Sequence, residues 1–319
     1  MPTPLPPDAM QPRPVAMKPG PHGGDGRAVA RALGLDPALV IDLSASLNPF
    51  APAVTPLALH ALDQDPHLLS TYPDPADATA VLAAALGTSP ERLILTNGGA
   101  EAIALVASTM EAGFVVEPEF SLYRRHLAAI RDDAARWRSN PSNPLGVLAQ
   151  ADEHAAVWDE AFYPLATGRW SRGEDESWRL GSLTKLWSCP GLRLGFVVAP
   201  DPVAAQELRN RQPRWAVNGL ALALVEPLLA GTDLGGWQRA IAGLRTDFAA
   251  GLRHLGFEVT ETDVNWVLVT SHELRLRLAA HHVIVRDLTS FGLEGMARVA
   301  LPRPDQLDRT LRAFAAIAP

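Results

Sequence analysis

The sequence predicts an α/β protein: a three-layer unit on a mainly parallel sheet, followed by a smaller α/β C-terminal domain. Three observations carry this. Between residues 92 and 199, short apolar runs alternate with helix-like segments, the pattern of parallel strands joined by crossover helices. From Pro202 to residue 254 the texture changes to long helical stretches. A second group of short β-prone runs, residues 258–301, then closes the chain.

Residues 1–21 carry six prolines before residue 15, which prevents helix, and read as a flexible leader. Residues 22–48 form an N-terminal arm. His22-Gly23-Gly24 precedes a helix over 25–33 stopped by Gly34, and Val40 to Leu43 reads as a strand. The large domain spans 49–212. Its first stretch is an extended loop to Pro56, and Tyr72-Pro73-Asp74-Pro75 turns into an Ala-rich helix ending at Leu86. Strands are expected at 92–96, 114–117, 134–139, 155–158, 178–182 and 194–199, with helices at 99–110 and 121–130. The small domain, 213–319, follows the helix at 202–211. It has helices at 216–230, 234–254, 272–281 and 305–317, and strands at 258–260, 266–269, 283–285 and 297–301. Part of the arm is expected to complete this lobe.

A net charge of −7, without a basic stripe, gives no general attraction to nucleic acid or anionic membrane. One cysteine excludes an intrachain disulfide framework and suits a reducing compartment. No apolar run is long enough to span a bilayer, since Leu220 to Ala230 is broken by Glu226 and Pro227. A cytoplasmic, enzyme-sized protein is the expectation. No zinc- or calcium-type ligand spacing appears, nor a G-x-S-x-G elbow, a Walker loop or G-x-G-x-x-G.

The chain holds only two lysines, Lys18 and Lys185, against 26 arginines. Lys185 sits among Leu, Trp, Cys and Pro, where an ammonium is costly to bury. Unlike arginine, lysine can lose its proton when desolvated and attack a carbonyl. Lys185 is therefore a candidate imine-forming lysine, with a chance survivor of Arg-rich composition as the alternative. Asn97-Gly98-Gly99-Ala100-Glu101 opens a helix after a strand, where small residues let a phosphate reach backbone N–H groups. Many such turns only close loops. Asp159 ends another strand and can meet a cation or simply cap a helix. Arg193, eight residues beyond Lys185, can return to a phosphate or pair at the surface. Asn140-Pro141-Ser142-Asn143-Pro144 places an amide on the same rim. An imine-forming amine, anion donors, a carboxylate, an amide and aromatic planes are the inventory that pyridoxal phosphate needs.

The chain resembles a fold-type I pyridoxal-phosphate enzyme, aspartate-aminotransferase-like in fold and of the histidinol-phosphate aminotransferase-like group. Within that group it is most similar to the threonine-phosphate decarboxylases of cobalamin biosynthesis. The most specific stretch is Ser-Leu-Thr-Lys-x4-Pro-Gly-Leu-Arg-Leu-Gly, residues 182–195. The resemblance implies that Lys185 holds pyridoxal 5'-phosphate, and that Ser182, Arg193, Gly99 and Ala100 bind its phosphate. Phe120 would stack on the ring, Asn143 would meet its hydroxyl, and Asp159 its nitrogen. Tyr72 would reach the neighbouring subunit's phosphate, which implies a homodimer. His22-Gly23-Gly24, Asp42 to Pro49, Arg211 to Asn218 and the stretches around Arg286 and Arg298 resemble the decarboxylases in particular. Arg298 would bind the substrate carboxylate and Arg286, with His22, a substrate phosphate. His22 can equally be a solvated loop histidine.

The implied reaction takes a phosphorylated amino acid, L-threonine O-3-phosphate, to (R)-1-aminopropan-2-yl phosphate and CO2. Histidinol-phosphate-type transamination and a cofactor-binding relative without turnover are the alternatives, with a Rossmann oxidoreductase far behind. Three departures from the family pattern stand out. The chain is shorter between Tyr123 and Asn140 and between Asn143 and Asp159. Phe162 takes the place of a ring-hydroxyl tyrosine, and Tyr163 should face the opposite way if the stretch is a strand. Leu145 replaces the usual threonine after Asn143-Pro144.

Overall fold

A computed structural model describes residues 22–319, and the leader expected over residues 1–21 lies outside them. The arm holds α1 (Gly26–Leu33) and β1 (Ile41–Asp42), followed by α2 (Val54–Gln64) and α3 (Ala76–Leu86). The alternating part runs β2 (Leu93–Asn97), α4 (Gly98–Ala107), β3 (Gly113–Val115), α5 (Leu122–His126) and β4 (Ala135–Ser139). It continues with β5 (Val157–Asp159), α6 (Tyr163–Thr167), β6 (Trp178–Gly181), α7 (Leu183–Leu186) and β7 (Leu194–Val198). Four helices follow: α8 (Pro202–Arg211), α9 (Gly219–Ala223), α10 (Val225–Ala230) and α11 (Leu234–His254). The chain ends with β8 (Glu258–Glu261), β9 (Trp266–Thr270), α12 (Leu274–Ala279), β10 (Val283–Ile284), β11 (Arg286–Asp287), β12 (Met296–Ala300) and α13 (Leu307–Ala315).

The large sheet has six strands in the order β2-β7-β6-β5-β4-β3, and only β7 runs against its neighbours. Side chains alternate across it, as strand geometry requires. Leu93, Leu95, Phe196 and Val198 face one core with α3, α6 and α11. Ile94, Val115, Trp137, Val157, Leu180 and Val197 face another with α4, α5 and α8. Helices therefore cover both faces, and each fully buried Leu or Ile contributes about 1.5–3 kcal/mol. A smaller antiparallel sheet, β11-β12-β9-β8, packs under α11 and α13 through Phe248 and Phe314. The arm does join this end of the chain: β1 pairs in parallel with β10, Ile41 opposite Val283.

Several elements differ from expectation. Residues 54–64 form a helix, not the end of an extended loop. The expected helix over 216–230 is two helices, because Pro227 in the first turn of α10 cannot donate to the carbonyl of Ala223. The 121–130 helix stops at His126. Residues 144–156 hold no helix or strand. Phe162 and Tyr163 lie at the start of α6 rather than on a strand, with Pro164 in its first turn.

Candidate active site

The strand ends of the large sheet carry the site. Lys185 lies on α7, immediately after β6, and its ammonium donates to the Ala45 carbonyl at 2.7 Å. Phe162 forms a wall 5.9 Å from the Lys185 nitrogen. Burial, then the positive charges of Arg298 and Arg193, push the Lys185 amine down from 10.5 to about 8, with Asp42 opposing. An amine so placed exists in both protonation states near neutrality, which is what a nucleophile and proton carrier requires.

Above it is an anion cradle. The turn from β2 into α4 leaves the first N–H groups of that helix without a side-chain cap, among them those of Gly99 and Ala100. Ser182 closes one side, its Cβ 3.4 Å from where a Cβ on Gly99 would lie. Arg193 closes another. Its backbone takes the left-handed conformation, φ 56°. This brings its guanidinium over Gly98, where an added Cβ would lie 2.4 Å from Nη2. Gly98 also has φ 74°, so the position needs glycine twice over. A Cβ on Gly195 would lie 2.6 Å from the Gly98 carbonyl carbon, so β7 must come this close with no side chain.

Asp159 ends β5 behind the cradle. Its carboxylate accepts from Tyr123 Oη at 2.9 Å and from Ala161 N at 3.1 Å. Burial raises its pKa and the Tyr123 bond opposes. Phe120, just before α5, meets Tyr123 edge-on at 6.0 Å and His22 at 5.9 Å. Asn143 is buried and its Oδ1 accepts from Arg298 Nη1 at 2.6 Å. Arg298, on β12, also donates to the Ser44 carbonyl and lies 5.1 Å over Trp266. Arg286 sits directly opposite it on β11 and donates to Ser290 Oγ at 2.7 Å. Burial and then the Arg286 charge push Arg298 down to about 9. Burial and then the Arg286 charge also lower His22, which places that histidine beside the arginines.

Tyr72 is not brought to this cluster. It is 77 % exposed and stacks on Trp215 with ring centroids 4.2 Å apart. Tyr123 is the residue that sequence reasoning missed; its spacing of three from Phe120 is the only signal it left. A groove of about 700 Å³ around Trp215 contains none of the expected residues. The donor set, not the size of the hollow, locates the chemistry. An uncapped helix end, a hydroxyl and a guanidinium around an anion cradle, with an amine of lowered pKa and a buried carboxylate alongside, fit pyridoxal 5'-phosphate.

Residues 137–314, more than half of the chain, match the family model "Aminotransferase class I and II". The chain belongs to that family. It is 29% identical over 352 aligned residues to threonine-phosphate decarboxylase of Salmonella typhimurium, covering 92% of this chain and 95% of the relative. The structure of L-threonine-O-3-phosphate decarboxylase from Porphyromonas gingivalis superposes with a TM-score of 0.72 at 20% identity, over 85% of this chain and 98% of that one. Histidinol-phosphate aminotransferase from Sinorhizobium meliloti, solved with pyridoxal-5'-phosphate, gives 0.73 at 19%, over 92% and 94%. These likenesses show the fold: the three-layer, aspartate-aminotransferase-like architecture of fold type I. Among the described residues no group of three or more His, Cys, Asp or Glu side chains could hold a metal, and no helix is long and apolar enough to cross a membrane.

Proposed function

We propose that the chain is a pyridoxal-phosphate-dependent decarboxylase of a phosphorylated amino acid, converting L-threonine O-3-phosphate to (R)-1-aminopropan-2-yl phosphate. The observation that carries it is the pair Arg286 and Arg298, buried and directly opposite each other across β11 and β12. Like charges opposed in this way destabilise a sheet. Among the described residues no carboxylate pairs with Arg298, and its Nε is buried without a partner. A substrate carboxylate would give Arg298 the anionic partner that it lacks. Arg286, with His22, takes the substrate phosphate.

The cofactor, when bound, supplies an electron sink for the bond at Cα held perpendicular to its ring. The chain supplies the rest. Ser182, Arg193 and the α4 N–H groups would hold the cofactor phosphate, Phe120 would cover the ring, and Asn143 would meet its hydroxyl. Asp159, fixed by Tyr123 and Ala161, keeps a proton on the ring nitrogen. Arg298 would hold and orient the substrate carboxylate, the group to be lost as CO2. Lys185 then returns a proton to Cα, a step its pKa of about 8 suits.

Tyr72 and Trp215 support a homodimer. Both are exposed, and α2 buries none of its residues, so a second copy is the partner that would cover them and bring Tyr72 to the neighbouring phosphate. The same residues would serve transamination if the proton on Cα, not the carboxylate, were the group removed. The test is CO2 release from O-phospho-L-threonine, run beside a mixture with 2-oxoglutarate. CO2 without glutamate supports the decarboxylase. Glutamate without CO2 makes it an aminotransferase, and neither product with the cofactor bound makes it a binding relative.

A further inference from the structure

Glu119 immediately precedes the ring-stacking Phe120, yet its carboxylate is only 4 % exposed. A carboxylate this deep is costly unless donors meet it. Three do: Ser139 N at 3.0 Å, Ser139 Oγ at 2.5 Å and Phe120 N at 3.2 Å. The Ser139 hydroxyl gives its one proton to Glu119 and accepts Asn143 N–H at 2.8 Å. Asn143 Oδ1 in turn accepts from Arg298 at 2.6 Å. One carboxylate thus ties the backbone of the stacking aromatic to the turn that carries Asn143, and through it to the arginine.

The geometry points to Glu119 as a positioning residue that holds Phe120, the ring-stacking aromatic, and Asn143, the partner of the ring hydroxyl, in register with each other. The inference rests on the cofactor reading above and extends it to a residue that touches neither cofactor nor substrate. The groups facing Glu119 come from every element around it. Arg138 on β4 stands 3.9 Å away and is itself bound to Glu153. Glu117 accepts Glu119 N–H at 2.7 Å and pairs with Arg124. Tyr123 on α5 is held by Asp159. Burial outweighs the Ser139 bonds and Arg138, and the Glu119 carboxyl is raised from 4.5 to about 7. The register is therefore firmest when the acid is ionised. Below that point a proton on one oxygen displaces one of its three donors.

The test is the dissociation constant of pyridoxal 5'-phosphate, followed by tryptophan quenching on either side of pH 7, for wild type, E119Q and S139A. Titration of the cofactor phosphate and of Lys185 is common to all three, so the difference between curves reports Glu119. Wild type should bind about tenfold more weakly on the acid side, the scale of one charge-assisted hydrogen bond. That step should be absent from E119Q and S139A. A purely structural role would lower the melting temperature of both variants and leave the step in place, which overturns the inference. A step kept by S139A alone overturns the relay through its hydroxyl. Wild type that takes up no cofactor at any pH removes the cofactor reading, and this inference with it.

Discussion

Replacing Lys185 with methionine should make the cofactor-free protein more stable at neutral pH. The side chains are similar in length, and methionine has no charge to desolvate. The Lys185 amine is held at about 8 rather than 10.5, chiefly by burial. At ~1.4 kcal/mol per unit this is about 3 kcal/mol of folding stability given up to keep the charged form there. Methionine forfeits the bond to the Ala45 carbonyl, which returns about 1 kcal/mol. The net gain is about 2 kcal/mol. Its pH dependence is the sharper signature. Between about 8 and 10.5 the unfolded chain keeps a proton on Lys185 that the folded chain has lost, so wild-type stability rises through that window. The advantage of the variant should therefore shrink as pH climbs from 8 and reverse by 10.5, where the desolvation cost is gone and only the lost bond to Ala45 remains. Urea denaturation with an unchanged m-value measures it. A variant less stable than wild type at neutral pH, or a margin flat across the window, would refute the argument that Lys185 is a desolvated amine.

Asp159→Asn should leave cofactor uptake nearly intact and lower turnover by about a hundredfold or more, the scale of losing a preorganised electrostatic partner; steady-state kinetics on the loaded protein checks it. Arg298→Lys replaces a fork of donors with a single ammonium and should raise KM for O-phospho-L-threonine about thirtyfold, measured by CO2 release. Arg193→Ala should weaken the cofactor about tenfold by equilibrium dialysis, since one charged donor leaves the cradle. Trp215→Ala removes the plane on which Tyr72 stacks; sedimentation should show a shift from dimer toward monomer, with looser cofactor.

The alternating strands were legible because the residues that set the site's turns, Gly98, Gly99, Gly195 and the prolines beside Asn140 and Asn143, are local signals whose geometry allows few substitutes. Lys185 stood out for a compositional reason: lysine is nearly absent elsewhere. The misses have equally local causes. Pro52 and Pro56 made the stretch up to residue 56 look extended, but Pro56 lies in the first turn of α2, where its missing N–H has no helical partner anyway. No buried stripe marks α2, since none of its residues is buried. Tyr123 sits next to exposed Arg124 and Arg125, so the stretch reads as surface. Only the folded sheet puts its hydroxyl on Asp159, 36 residues away. Glu119 misleads in the same way, since a lone glutamate between Pro118 and Phe120 looks solvated. Its burial depends on donors from β4, twenty residues on.

The most direct measurement is reductive trapping. Purified protein is mixed with pyridoxal 5'-phosphate, reduced with borohydride and digested, and the modified peptide is located by mass spectrometry. The structure predicts a single adduct, on Lys185, with Lys18 unmodified. An unmodified Lys185 in protein that is otherwise folded would contradict the assignment of this site.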